Sequence, residues 1–187
     1  MPALVLMLNE QGTPIQWATW QDAVTYKAKD LIAWEIGDVD WTKFGGNNRL
    51  TGEQSSITFS SIMAIRGKHH PKHVIPMLTN ENLFGRDRFT CAYCARTLES
   101  RNLTNDHIVP RSRGGMHSWT NCVTCCKRCN NHKDCLLLNE IKMELTYIPY
   151  IPSREEGLIL RNRNILADQH DFLKKMLPSH SRLLSLN

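Results

Sequence analysis

Two C-x-x-C pairs, Cys91/Cys94 and Cys126/Cys129, stand thirty-one residues apart. Four thiolates at such a spacing suit one tetrahedral zinc. A zinc held by four thiolates keeps no open position, so the predicted site is structural. A second kind of donor lies between and just after the pairs: Asp106-His107, Asn121, and Asn130 directly after Cys129. Carboxylate and amide oxygens are hard ligands, and imidazole is a base near neutral pH. That set suits a magnesium-type ion and an activated water. Cys122, Cys125 and Cys135 are left over. Cys125 adjoins Cys126 and is its rival as a ligand, but the C-x-x-C spacing to Cys129 favours Cys126. Cys122 and Cys135 read as small buried apolar residues.

The run C-A-Y-C, D-H-I-V-P-R-S-R-G-G, W-T-N and C-K-R-C-N-N-H-K resembles the HNH endonucleases, in their zinc-ribbon branch, over residues 84–135. The three letters fall on His107, Asn121 and Asn130, the last an Asn in place of the motif's final His. More loosely, V-L-M-L-N (Val5–Asn9) and T-W-Q-D-A-V-T (Thr19–Thr25) resemble the N-terminal extension of some bacterial HNH proteins. The resemblance implies a ββα-metal core stapled by Zn2+ on Cys91, Cys94, Cys126 and Cys129. It implies His107 as general base and Asn121 as the residue that orients it and ties its loop to the next strand. It also implies one catalytic Mg2+ or Mn2+ held by Asp106 and Asn130.

His132 would restore the motif's literal last letter. Residues two apart on a helix point about 200° apart, so Asn130 and His132 cannot both face one ion. Asn130 is preferred, because Lys133 three residues on shares its face. Arg88, Arg111, Arg113 and Lys133 are the expected phosphate contacts. DNA is the implied substrate. The alternatives are RNA or structured nucleic acid cleaved by the same chemistry, and a zinc-stabilised binding module without turnover. Double-strand cleavage would need a homodimer or two successive nicks.

These residues need an α+β frame. Leu103–Val109 alternates toward a strand ending near His107, Pro110–Ser118 is a loop, Val123–Cys126 is a second strand, and Asn130–Leu138 is a helix entered from the knuckle. Asp106 and His107 are adjacent, so on a regular strand they face opposite sides. Upstream, Leu4–Leu8 reads as a buried strand. Thr19 caps a helix with Trp20, Val24, Ala28 and Leu31 on one face. Leu31–Ile36 turns extended, Phe44–Ser55 is a loop or hairpin tip, and Ile57–Ile65 is a strand. Trp17, Trp20, Trp34 and Trp41 read as packing residues. Lys68–His73 is a basic loop whose His69, His70 and His73 lack the spacing of a metal cluster. Thr79–Asn82 begins a helix leading to the first knuckle. After the extended Tyr147–Pro152 connector, Ser153–Leu177 is one helix, broken if anywhere at Gly157. The expected organisation is an N-terminal α/β extension over 1–80, a nuclease core over 81–140, and a connector with C-terminal helix over 141–187.

Bulk properties are permissive. The 187 residues carry a formal charge of +5, and such a length can bury a real core. Residues 81–135 hold nine Lys/Arg against five Asp/Glu, an excess that a phosphate-binding surface needs. Met1–Leu8 is too short for a secretory signal, and no apolar run reaches membrane-spanning length. Seven cysteines without a signal segment point to a reducing cytoplasmic setting, where paired knuckles mean metal rather than disulfides.

Overall fold

The computed structural model describes residues 3–67 and 75–185. The chain is α+β and divides into two compact units, one drawn from 1–73 with 162–176, the other from 74–161 with 177–187. The expected loop of His69, His70 and His73 lies outside the described residues.

The first unit is a four-stranded sheet. Strand β1 (Val5–Asn9) sits between β2 (Pro14–Ala18), to which it is antiparallel, and β4 (Gln54–Ile65), to which it is parallel. β3 (Ile32–Asn47) closes the order β2-β1-β4-β3. Because β1 is interior, all five of its residues are buried, which explains its unbroken apolar run. Val5 and Met7 share one face with Phe59 and Met63, and the helix α1 (Trp20–Ala28) covers that face through Ala23. Thr19 caps α1 as expected, with a reciprocal Asp22 bond. α1 stops at Ala28, so Leu31 falls outside it and is 38% exposed. Trp20 and Trp41 do pack on this core, and the Trp34 indole donates to Glu10 O at 3.0 Å. The β3–β4 hairpin turns through Asn48–Glu53, where Gly52 takes φ +73° and donates to Asn48 O. The unit's other helix, α5 (Ala167–Lys174), is fixed by buried Gln169, whose amide donates to Leu4 O at 2.7 Å and Ser61 O at 2.8 Å.

The second unit carries the motif residues. Thr79 caps α2 (Asn80–Arg86), and an antiparallel hairpin of β5 (Leu103–His107) and β6 (Cys122–Cys126) runs directly into α3 (Lys127–Lys133). This is the expected ββα order, with one correction. The helix is Lys127–Lys133 rather than Asn130–Leu138, because Cys126 is its N-cap and Asp134 leaves helical space at φ +46°.

A second correction concerns the C-terminal helix, which is two helices. α4 (Arg154–Arg161) belongs to this unit and α5 to the other, and the break falls at 162–166 rather than at Gly157. Asn162 Oδ1 accepts from Asn164 N at 3.0 Å, an Asx turn that competes with helix. Gly157 is buried inside α4. A Cβ there would come within 2.7 Å of Pro76 Cγ, so the glycine allows close approach and does not end the helix.

Candidate active site and metal centre

The α2–β6 junction is built on charge. Arg86 and Asp87 are both fully buried and paired at 2.7 Å. The Arg86 guanidinium also donates to the carbonyls of Trp119 (2.6 Å), Tyr150 (2.9 Å) and Cys122 (3.0 Å), while Asp87 accepts from Thr124 N at 2.8 Å. A planar fork with five donors can meet several acceptors at once, which explains Arg rather than Lys here. No local spacing marks this pair, whereas the neighbouring Arg88 is an expected phosphate contact. Arg88 sits half-buried in the turn after α2 with φ +56°.

The four expected cysteines come together. Cys91, Cys94, Cys126 and Cys129 offer sulfurs all within 4.8 Å of one another, a group that can hold a metal ion. Cys125 is outside that group, so the choice between Cys125 and Cys126 falls to Cys126. Cys126 also accepts from Cys129 N at 3.4 Å. Its backbone pairs it with Leu103 across the hairpin, while Cys125 pairs with Thr104. Four close thiols cannot all ionise unaided. A hydrogen bond from Cys125 holds Cys91 down to about 3, whereas burial and then Cys126 push Cys129 up. Arg96 bonds the sulfurs of Cys94 (3.5 Å) and Cys126 (3.9 Å) and so offsets thiolate charge. Only its position two residues past the first knuckle hinted at that.

On the hairpin, the strand alternation holds to the end of β5. Asp106 is 6% exposed and turned inward. One of its oxygens accepts from the Tyr93 hydroxyl, the other from Lys133 Nζ at 3.3 Å. Burial and then Asp106 push the Tyr93 hydroxyl pKa up, so Tyr93 remains a donor. Lys133, expected at a phosphate, is corrected by its burial. It is fully enclosed and gives its other bond to His107 O at 2.8 Å. These two bonds turn the Lys133 side of α3 toward β5, and Asn130 lies three residues before it. Asn130 is half-buried and His132 exposed.

His107 faces the other way, half-buried, beside the exposed His117. Its Nε2 lies 3.1 Å from His117 Nδ1. Burial, then His117 and Arg111, lower its pKa, which favours the neutral imidazole. Asn121 does not bond the imidazole. Its Oδ1 accepts from Val109 N at 2.9 Å, and its Nδ2 donates to Val109 O (3.1 Å) and Met116 O (2.8 Å). It therefore fixes the loop that follows His107. Gly115 completes that loop, since a Cβ there would overlap Val109 O.

The two loop arginines differ. Arg111 is exposed and close enough to His107 to act on its charge. Arg113 is tied to Glu140 at 3.0 Å and to Cys135 O at 3.1 Å. Cys135, expected to be buried, is exposed, because α3 has ended before it; Cys122 is buried as expected. Among the described residues no helix is long and apolar enough to cross a membrane.

Residues 91–146 match the family described as HNH endonuclease. No curated protein matches the chain.

Proposed function

From the premise that residues 91–146 form a domain of the HNH endonuclease family, we propose that this protein hydrolyses phosphodiester bonds in DNA with His107 as general base. The observation that carries the reading is the setting of His107. It is a neutral imidazole at a strand end, reachable from solvent, with the Arg111 cation beside it. A base must accept a proton from water at working pH, and a lowered imidazole pKa keeps its lone pair free. Arg111 offers a charge for the phosphate. Asn121 and Gly115 hold the loop that carries Arg111 in register with His107.

The knuckle site is read as zinc. The Cys94 and Cys126 sulfurs lie 3.9 Å apart, and a tetrahedron with Zn–S near 2.3 Å requires about 3.8 Å. Asp106 and Asn130 are the proposed holders of magnesium or manganese. A carboxylate has about four lone-pair sites, and Tyr93 and Lys133 use one each, so Asp106 retains capacity. Asn130 lies one turn before Lys133, on the face that meets Asp106. When bound, such an ion supplies Lewis acidity and charge neutralisation at the phosphate.

The test is incubation with supercoiled plasmid, with and without magnesium or manganese, beside His107→Ala. Cleavage should depend on the metal and fall about 10²–10⁴-fold in the variant, with fold and zinc content intact. RNA competing as well as duplex DNA would move the substrate to RNA. Retention of the plasmid without any cut, under either metal, would leave a binding module.

A further inference from the structure

We propose that His107, His117 and Cys122 form a second transition-metal site, suited to zinc, whose occupancy withdraws His107 from its role as base. One donor atom from each lies within 4.8 Å of the other two. His107 Nε2 and His117 Nδ1 are 3.1 Å apart, and Cys122 Sγ and His117 Nδ1 are 3.4 Å apart. With Zn–N near 2.05 Å and Zn–S near 2.3 Å, a tetrahedron requires edges of about 3.3 Å and about 3.6 Å. Two of the three edges are thus within a few tenths of an ångström of a zinc site's, and the third, from His107 to Cys122, lies under 4.8 Å.

Hydrogen bonding alone accounts for the cluster poorly. Both contacts converge on His117 Nδ1, and a ring nitrogen has either one hydrogen or one lone pair. It can satisfy one of the two well, and the Cys122 thiol has the Ser118 backbone and Asn105 as its other partners. A cation between the three atoms satisfies all of them.

The backbone holds the donors without help from an ion. His107 and Cys122 are register partners on β5 and β6, so their side chains share one face of the hairpin. His117 is fixed by the turn behind it, where Ser118 O accepts from Asn121 N and Cys122 N at 3.1 and 2.9 Å. The site shares His107 with the proposed hydrolytic centre but no ligand with the knuckle or with the Asp106–Asn130 pair. Cys122 is not among the knuckle sulfurs, and Asp106 occupies the opposite face of β5. Two imidazoles and a thiolate select zinc-like ions over magnesium. Three protein ligands leave a fourth position for water or a phosphate oxygen, and His117 opens to solvent.

The consequence for hydrolysis rests on the proposed function. A neutral imidazole metallated at Nε2 carries its proton at Nδ1, so no lone pair remains to take a proton from water. Zinc beyond the knuckle equivalent is therefore an inhibitor of the magnesium-dependent reaction.

The test uses the full chain with its knuckle site loaded, titrated with Co2+ and read by absorption. One further equivalent should bind with a thiolate-to-cobalt charge-transfer band. His117→Ala, at an exposed position, should weaken that binding about 10–100-fold or more, and Cys122→Ser should remove the band. In parallel, excess zinc should inhibit plasmid cleavage by the wild type more strongly than by His117→Ala, each scored against its own zinc-free rate. Absence of the second equivalent, or its indifference to both substitutions, overturns the site. Cobalt binding does not depend on cleavage, so an inactive wild type would sink the nuclease reading and the inhibition with it, while the metal site would stand or fall on the cobalt titration.

Discussion

Lys133 Nζ donates to Asp106 Oδ1 at 3.3 Å and to His107 O at 2.8 Å, with the lysine fully buried. One side chain from α3 thus bonds both adjacent residues at the end of β5. It grips the carboxylate of one and the backbone of the other, and so fixes the strand end from which His107 projects. Removing one partner of a buried pair leaves the other charge uncompensated, at about 3–5 kcal/mol. Lys133→Ala should lower stability by that amount in urea denaturation. A stable variant that merely binds DNA less tightly would restore Lys133 to the surface role its sequence position suggests.

Arg111 and Arg113 should separate in a salt titration. Arg111 is exposed beside His107, while Arg113 is paired with Glu140. If the substrate is duplex DNA, Arg111→Ala should flatten the dependence of log binding constant on log salt by about 0.9 and weaken all sequences alike. Arg113→Ala should change that slope less, since its charge is already partly answered. Equal slopes for both variants would show that the Glu140 pair opens on binding.

Cys126 and Cys125 are adjacent, yet their substitutions should differ sharply. Cys126→Ser removes a knuckle ligand and should abolish tight zinc, which in small modules is worth on the order of 10 kcal/mol of folding free energy. Cys125→Ser should keep one zinc per chain, because its sulfur lies outside the ligand group. Elemental analysis with circular dichroism checks both. Zinc retained in Cys126→Ser and lost in Cys125→Ser would exchange their roles.

What could be read from sequence was what depends on local spacing. The knuckles, the Thr19 and Thr79 caps, and the strands ending at His107 and Cys126 each follow from residues a few positions apart. The errors came from contacts across the fold. Lys133 looked like a surface cation because nothing near it in sequence predicts the burial that Asp106 and His107 O make possible. Gly157 looked like a helix break because its reason, Pro76, is far away along the chain. His117 carries no local signal, since its partners are ten residues back across a loop and five ahead on another strand. Cys122 itself read as a small buried apolar residue, because nothing beside it in sequence marks a ligand.

Arg86 ties the hairpin to the end of α2. Its guanidinium bonds Asp87 and three carbonyls, including Cys122 O at the start of β6. Cys122 is the register partner of His107, so the pair reaches the candidate site through one backbone step. Arg86→Met would strand the Asp87 carboxylate and leave three carbonyls without their donor. A loss of about 3–5 kcal/mol is expected from the orphaned charge. Arg86→Lys should recover only part of it, because an ammonium carries three donors at one point and cannot span the fork. Urea denaturation of both variants gives the ranking wild type, then Lys, then Met. A loss under about 1 kcal/mol for Met, the size of an exposed pair, would mean that the hairpin is held by the apolar contacts of Leu83, Phe84, Leu103 and Trp119 and not by this arginine.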